Sequence, residues 1–301
     1  MAVELACAAP AYLDLTFQGL RSLPRMGTEE FSTDLLRSPG GGALNAIGAA
    51  RLGLRTGAAF PIGADEAGAF LRAELEREGI DLASTPSGRT ALTAVMPVAE
   101  DRAMVTYDPE TRVDPRALAS LGPERVLCTI DQVGLIPLSA RAFVTVGDRE
   151  ARRHARRSRT SLPPGATLFV NAVEATALTG RNDLPGAARA LAEWATIVVA
   201  TRGADGAVAY VDNTLVEAPG VRVDVVDTTG AGDLLAAAWV WGNARGLDME
   251  SQLRWAVLYA ALSVAVPTGA AGAVDLDRLV EEGTSRGLPE PSTAEPAGDA
   301  S

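Results

Sequence analysis

Val223-Asp-Val-Val-Asp227-Thr228-Thr229-Gly230-Ala231-Gly232-Asp233, continued by the apolar run Leu234-Leu-Ala-Ala-Ala-Trp-Val-Trp241, is the stretch on which the reading of this chain turns. It reads as a short strand over Val223 to Asp227, a glycine turn, and a helix from Gly232 to Arg245. Glycines at 230 and 232 allow a tight turn and let a ligand approach the backbone closely. The amides of Gly230, Ala231 and Gly232 then point out of a helix N-terminus, where the helix dipole favours an anion. Asp233 falls in the first helical turn beside that anion site. A carboxylate there can accept a proton from an attacking alcohol while the amides stabilise charge on a phosphoryl group. The plainer reading is a carboxylate that only complements the dipole, so the neighbouring sequence has to decide between them.

Outward from this turn, strands and helices alternate. Strand-like segments at Arg125 to Ile130, Ala142 to Val146, Thr167 to Val170 and Ile197 to Ala200 are separated by helical patterns over Asp148 to Arg159, Glu174 to Leu178 and Leu184 to Trp194. Such alternation predicts a mostly parallel sheet with helices on both faces. A hairpin is expected around Asp212-Asn213. Nearer the start, Val3 to Leu15 reads as a first strand interrupted by Pro10, with Asp14 near its end. Gly40-Gly41-Gly42 opens a helix over Asn45 to Leu52, and a strand at Thr56 to Ile62 precedes a helix from Ala67 to Glu78 that Gly79 closes. Two strand-rich pieces, about 16–39 and 84–111, stand off this alternation as a small lid. The composition from Gly283 onward predicts a disordered tail over 284–301 behind one domain of residues 1–283.

Composition excludes several chemistries. All 27 basic residues are arginine, so a lysine Schiff base and a phosphate-binding lysine are both absent. The net charge of -11 argues against a general nucleic-acid binder. The arginine-rich stretch 149–159 reads as a solvated helix face. Cys7 and Cys128 read as buried core thiols, and His154 as no part of a triad. No apolar run is long enough to span a bilayer, and the start lacks a basic region, so the expected compartment is the cytoplasm, without a membrane partner. No Gly-x-Gly-x-x-Gly follows the first strand, which removes a dinucleotide-dependent dehydrogenase.

The motif Asp227-Thr-Thr-Gly-Ala-Gly-Asp233 resembles the C-terminal signature of the PfkB/ribokinase family of carbohydrate kinases, and four further motifs follow in that family's order. These are Gly40-Gly-Gly-Ala-Leu-Asn45, Gly63-Ala-Asp-Glu-Ala-Gly68, Asn171-Ala-Val-Glu174 and Thr201-Arg-Gly-Ala-Asp-Gly206. The resemblance covers about residues 3 to 282. It implies an α/β, ribokinase-like three-layer fold with a mostly parallel central sheet and a small β lid. It implies an ATP- and Mg2+-dependent phosphotransferase acting on a hydroxyl of a sugar or sugar acid, with Asp233 as base and Gly230, Ala231 and Gly232 as the anion hole. By the same resemblance Asp14, Gly41, Gly42 and Asn45 line the sugar pocket. Asn171, Glu174, Thr201, Gly203, Gly206 and Gly269 serve the nucleotide, Glu174 serves magnesium, and Asp227 with Thr229 serves a monovalent cation such as K+. Two positions depart from the pattern: Leu258 stands for an adenine-side asparagine and Ala273 for a serine of the cation loop. Arg102 could pair with a sugar carboxylate, but the plainer reading is a solvated residue at a hairpin tip. A nucleoside acceptor, or a non-catalytic sugar or nucleotide sensor on the same scaffold, are the competing readings. The lid resembles those that clasp a second copy in homodimers.

Overall fold

The computed structural model describes residues 2–98, 101–110, 112–155 and 161–291. Its first strand, β1 (Leu5–Ala8), is buried at every position, as a strand covered on both faces must be. Pro10 has no N–H to donate, and the strand expected over Val3 to Leu15 is two strands instead: β2 (Ala11–Gln18) leaves the central sheet for the lid. There it joins β3 (Asp34–Gly41), which runs directly into helix α1 (Gly42–Arg51). The next strand expectation also divides, into β4 (Thr56–Ala58) and β5 (Pro61–Gly63), before α2 (Glu66–Arg77). Short strands β6 (Asp81–Leu82) and β7 (Thr85–Ser87) lead to the lid hairpin β8 (Ala91–Val98) and β9 (Asp101–Tyr107).

Beyond α3 (Pro115–Ser120), the expected alternation is present: β10 (Arg125–Thr129), β11 (Arg141–Thr145), α4 (Asp148–His154), β12 (Thr167–Asn171), α5 (Ala172–Thr179), α6 (Leu184–Leu191) and β13 (Ile197–Thr201). A 3-10 turn over Ile130–Leu135 takes the place of a crossover helix between β10 and β11. The hairpin β14 (Ala207–Val211) and β15 (Thr214–Ala218) turns through Asp212 and Asn213, both at positive φ. The chain finishes with α7 (Ala231–Ala244), α8 (Met249–Ser263), α9 (Gly269–Gly272) and α10 (Leu276–Ser285).

The central sheet has nine strands in the order β15-β14-β13-β12-β11-β10-β1-β4-β6, parallel except at the β14 and β15 edge. Helix α7 is apolar almost all round because it is enclosed: Trp239 meets Phe169 of β12 edge-on at 6.2 Å, and Trp241 meets Trp255 of α8 at 6.0 Å. Helices α1, α7 and α8 cover one face of the sheet, while α5 and α6 cover the other. The result is a three-layer α/β fold with a mostly parallel central sheet and a small β lid, as the motifs imply.

Two expectations need correction. Val223 to Asp227 is not a strand. The sheet already ends at β15, so the amides of Val226 and Asp227 donate to the Val264 carbonyl at 2.7 and 3.2 Å, and Val225 and Val226 face solvent. The tail also begins later than its composition suggested, because α10 runs to Ser285 and Leu288 is buried against the main core. The remainder of that expectation, from 292, lies outside the described residues. Among the described residues no helix is long and apolar enough to cross a membrane. Both cysteines are free and buried, as read from the sequence.

The lid is a four-stranded sheet in the order β3-β2-β8-β9. Its registers decide which side chains face the core, since partnered residues share a face. Asp14 pairs with Ser38 and Thr93, and Thr93 pairs in turn with Thr106. Tyr12, Asp14, Thr93, Thr106, Met104 and Arg102 therefore lie on one face, and all six line the cleft beneath.

Candidate active site

The parallel strands β1, β10, β11, β12 and β13 all end on one edge of the sheet. Ala8 is level with Cys128, Thr129 with Thr145, and Asn171 with Thr201. Ligands of open α/β sheets bind beyond this carboxyl edge. Here the lid closes over it to leave a cavity of about 860 Å³ lined from three directions. Asp14, Thr93 and Arg102 come from the lid, Gly41, Gly42 and Asn45 from the start of α1, and Thr229, Gly230 and Asp233 from the turn into α7.

Gly230 caps α7 at φ 80°, a left-handed conformation, and a Cβ there would lie 2.1 Å from Leu44 Cδ2. Ala231 N turns back to Thr228 O over a long 3.4 Å, while a Cβ on Gly232 would meet nothing within 4 Å. The backbone at Gly232 is thus uncrowded, and the first-turn amides of a helix lack intrahelical partners. Asp233 stands in this turn. Its position is set by Asn45, whose side-chain amide donates to the Asp233 carbonyl at 2.9 Å and to its carboxylate at 3.3 Å. Asn45, expected as a sugar contact, is buried and also holds the Asp233 carboxylate.

Electrostatics keep this carboxylate available as a proton acceptor near neutrality. Burial pushes Asp233 up to about 7; the Asp14 charge adds to this, the Asn45 hydrogen bond pulls it back, and Glu174 adds a smaller push. Asp14 is raised to about 7 as well, by burial first, with the Thr93 hydroxyl opposing and the Asp227 charge reinforcing. Gly40 is the reason Asp14 fits: a Cβ at 40 would fall 2.1 Å from its carboxylate.

Asp227 acts as a clasp. One carboxylate oxygen accepts from Thr229 N at 2.8 Å and the other from Thr268 N at 3.1 Å, fastening the anion-hole turn to the loop before α9. Gly269 packs beside it, where a Cβ would meet the Thr229 carbonyl at 2.9 Å. The Thr229 hydroxyl is buried with no partner among the described residues. An orphaned oxygen next to a buried carboxylate suits a monovalent cation. Arg51 braces α9 itself, donating to the Ala270 and Ala273 carbonyls at 2.7 and 2.6 Å while paired with Glu78.

The residues expected to serve the nucleotide, Gly269 of α9 apart, sit at and just beyond the ends of β12 and β13, outside the cavity lining. Asn171 and Glu174 form a reciprocal capping box at the start of α5: Glu174 N donates to Asn171 Oδ1 at 2.9 Å, and Asn171 N to Glu174 Oε2 at 2.8 Å. Burial pushes Glu174 up to about 7; the Asn171 backbone opposes this, and the charges of Glu150 and Asp148 add to it. Among the described residues no group of three or more His, Cys, Asp or Glu could hold a metal ion. Thr201 closes β13, and Gly203 and Gly206 both adopt positive φ in the loop that follows. Leu258 is fully buried in the core, so its side chain reaches no base, and Ala273 is buried too.

The arginine-rich segment is not simply a solvated face. Helix α4 begins at the carboxyl end of β11, so its first turns front the cleft. Arg149 and Arg153 line the cavity, Arg149 pairing with Asp108 and Glu110 and Arg153 with Asp131. His154 is buried and bonds Asp131 at 2.9 Å. Residues 156–160 of that stretch lie outside the described residues. Arg102 is likewise not a solvated hairpin tip: it donates to the Thr228 hydroxyl at 2.6 Å.

Comparison with known proteins places this geometry. A family model described as pfkB family carbohydrate kinase matches residues 32–127 and 154–275. The chain is 30% identical over 250 residues to an ATP-dependent ribose-1-phosphate kinase of Halopiger xanaduensis, an alignment covering 75% of this chain and 81% of the relative. It is 38% identical to a cytidine kinase of Thermococcus kodakarensis over 91 residues, only 29% of this chain and 32% of that enzyme. Among solved structures, ribokinase from Cryptococcus neoformans in complex with ADP superposes with a TM-score of 0.75 at 20% identity, covering 94% of this chain and 99% of that one.

Proposed function

Because the chain belongs to the pfkB family of carbohydrate kinases, we propose that it transfers the γ-phosphoryl group of ATP to a hydroxyl of a sugar or sugar acid, with Asp233 as general base. The observation that carries this reading is the Asp233 carboxylate. It is fixed by Asn45 in the first turn of α7, lines the acceptor cavity opposite Asp14, and is raised to about 7.

The acceptor hydroxyl gives its proton to the Asp233 carboxylate while its oxygen bonds to the γ-phosphorus. The bond from that phosphorus to the β–γ bridging oxygen breaks, and ADP leaves. Gly230, Ala231 and Gly232 form the turn whose amides receive the charge of the transferring group. Asp14, Gly41 and Gly42 hold the acceptor, with Asn45 positioning the base. Asn171, Glu174, Thr201, Gly203, Gly206 and Gly269 belong to the nucleotide half, where Glu174 would help to hold a magnesium ion bound with ATP, which would neutralise charge on the phosphates. Asp227 and Thr229 form the monovalent-cation seat. The lid excludes water, which would otherwise compete as acceptor.

The cavity is wide enough for a nucleoside, and the short stretch similar to cytidine kinase favours testing that class. Against it, Tyr12 is the one aromatic side chain among the described lining residues, and charged and polar groups suited to hydroxyls make up much of the rest. A coupled ADP-release screen over sugars, sugar acids and nucleosides, with and without potassium, decides the acceptor. Asp233→Asn should lower kcat by about three orders of magnitude or more with nucleotide binding retained. Near-normal turnover in that variant would sink the assignment.

A further inference from the structure

Asp14, Asn45 and Asp233, which serve the reacting hydroxyl in the kinase reading, stand near the end of β1; burial and then the Asp233 charge push up the Cys7 thiol of that strand. The cavity of about 860 Å³ continues sideways along the sheet edge to Thr129 at the end of β10 and Thr145 at the end of β11. Neighbouring strands lie about 4.8 Å apart, so this far wall stands roughly 5 to 10 Å from β1. A single sugar ring at Asp233 fills only part of such a space.

Gln132 belongs to the far wall. It sits in the 3-10 turn over Ile130–Leu135 and is only 8% exposed. Three side-chain amides are buried among the described residues, those of Asn45, Gln132 and Gln252. Asn45 donates to Asp233, and Gln252 donates to the Trp239 carbonyl at 2.8 Å. The Gln132 amide lines the cavity and has no hydrogen-bond partner among the described residues. An amide withdrawn from water without a partner is costly, and such groups are normally paired. Tyr12 lines the same cavity from the lid, and its hydroxyl also bonds no described residue. The ring packs on bare backbone, since a Cβ on Gly41 would fall 2.7 Å from Tyr12 Cδ2. Burial first, then the charges of Asp108, Glu150 and Asp233, keep the phenol protonated and therefore a donor.

The cations of this wall are already engaged, Arg149 by Asp108 and Glu110 and Arg153 by Asp131. Glu150 lies between them on α4, its carboxylate bound to Gly147 N at 2.8 Å. An anionic substituent would meet these carboxylates, so the wall suits a neutral one. A glutamine amide presents donor and acceptor side by side, and its complement is a group with an acceptor and a donor to match. We propose that the acceptor carries such a neutral amide-type edge beside its hydroxyls, and that Gln132 reads this edge with Tyr12 donating from the lid. Two compound classes offer the chemistry. A nucleoside base meets both Gln132 groups at once, whereas the trans amide of an N-acylated amino sugar divides its bonds between Gln132 and Tyr12. The inference rests on the kinase reading above and narrows its acceptor, setting sugar acids aside.

The test compares paired compounds on the full chain: cytidine and uridine against ribose, N-acetylglucosamine against glucose, and gluconate as the anion. ADP release gives kcat/KM, and calorimetry gives affinity without turnover. In one of the two arms the amide-bearing compound should exceed its plain counterpart at least about tenfold, and that arm names the source of the edge. Gln132→Leu should cut kcat/KM for the preferred compound about thirtyfold and for its plain counterpart less than about threefold. Tyr12→Phe should cost the preferred compound about fivefold with the same selectivity. The Tm of Gln132→Leu should hold or rise, because no bond within the protein is lost. Preference for gluconate, no advantage in either arm, or equal losses for both members of a pair in Gln132→Leu would each overturn the inference while the kinase reading stands. If wild type turns over none of these compounds, the kinase reading fails for this panel. Calorimetric binding of an amide-bearing compound that Gln132→Leu weakens about thirtyfold still upholds the subsite in that event, and its absence overturns it.

Discussion

The bond from Asn45 to Asp233 allows the base to be retuned without touching it. In Asn45→Ala the carboxylate loses a donor at 3.3 Å and the Asp233 carbonyl loses one at 2.9 Å. Only the first bears on proton affinity, and it favours the charged form. Hydrogen bonds to charged groups contribute about 1.5–3 kcal/mol, but a contact this long belongs near or below the bottom of that range, at about 1 kcal/mol. Divided by 1.36 kcal/mol per pKa unit, that raises Asp233 by roughly 0.7 unit from its value of about 7. A general base works deprotonated, so activity climbs with pH through this pKa, and the variant must climb later. The assay is a pH profile of kcat/KM for ATP at saturating acceptor, from pH 5 to 9, for wild type and Asn45→Ala. The acidic limb should move to higher pH by about 0.5–1 unit. The plateau should fall by a further factor, because the carboxylate is less well positioned. An acidic limb that stays in place, or moves to lower pH, would refute the account of how Asn45 and Asp233 are coupled.

Two further outcomes follow from the same geometry. Asp233 has its folded-state pKa raised above that of an ordinary aspartate, so the folded chain binds more protons than the unfolded one between about pH 4 and 7, and its contribution to stability is lost as pH rises through 7. Asp233→Asn should accordingly be the more stable protein at pH 8, by on the order of 1 kcal/mol or more, with the gain shrinking as pH falls from about 7 to 4; thermal unfolding at pH 8 and pH 4 checks it. Gly230→Ala should abolish turnover, since its Cβ would press on Leu44 at 2.1 Å. Pairing it with Leu44→Ala should restore folding more fully than activity, because the left-handed φ still costs about 1 kcal/mol at the anion hole.

The glycine turns were legible because their chemistry is local. Gly230 needs positive φ and Gly232 needs bare backbone, and both demands show in a run of a few residues. The parallel core was legible for a similar reason: strands such as Leu5–Ala8 and Val198–Ala200, buried on both faces, are apolar throughout. Val223 to Asp227 misled because β-branched residues mimic a strand wherever the sheet has already ended and the hydrogen bonds go elsewhere, here to Val264. Arg102 and the arginines of α4 misled because charge runs carry no sign of direction. Their orientation follows from lid register and from where α4 starts, which are tertiary facts. Asn45 was found as a site residue but not in its second role, since no local pattern joins it to a residue 188 positions away.

Only Ala9 and Pro10 separate the last residue of β1 from the first of β2. A strand buried in the core and a strand of the lid are thus almost a single rod with one joint. Asp14 lies beyond that joint, while Asp233 lies behind it at the start of α7. The cleft therefore sits between two buried carboxylates whose proton affinities are both raised by their surroundings, and a ligand offering hydroxyl protons to each would tie the two halves of the molecule together.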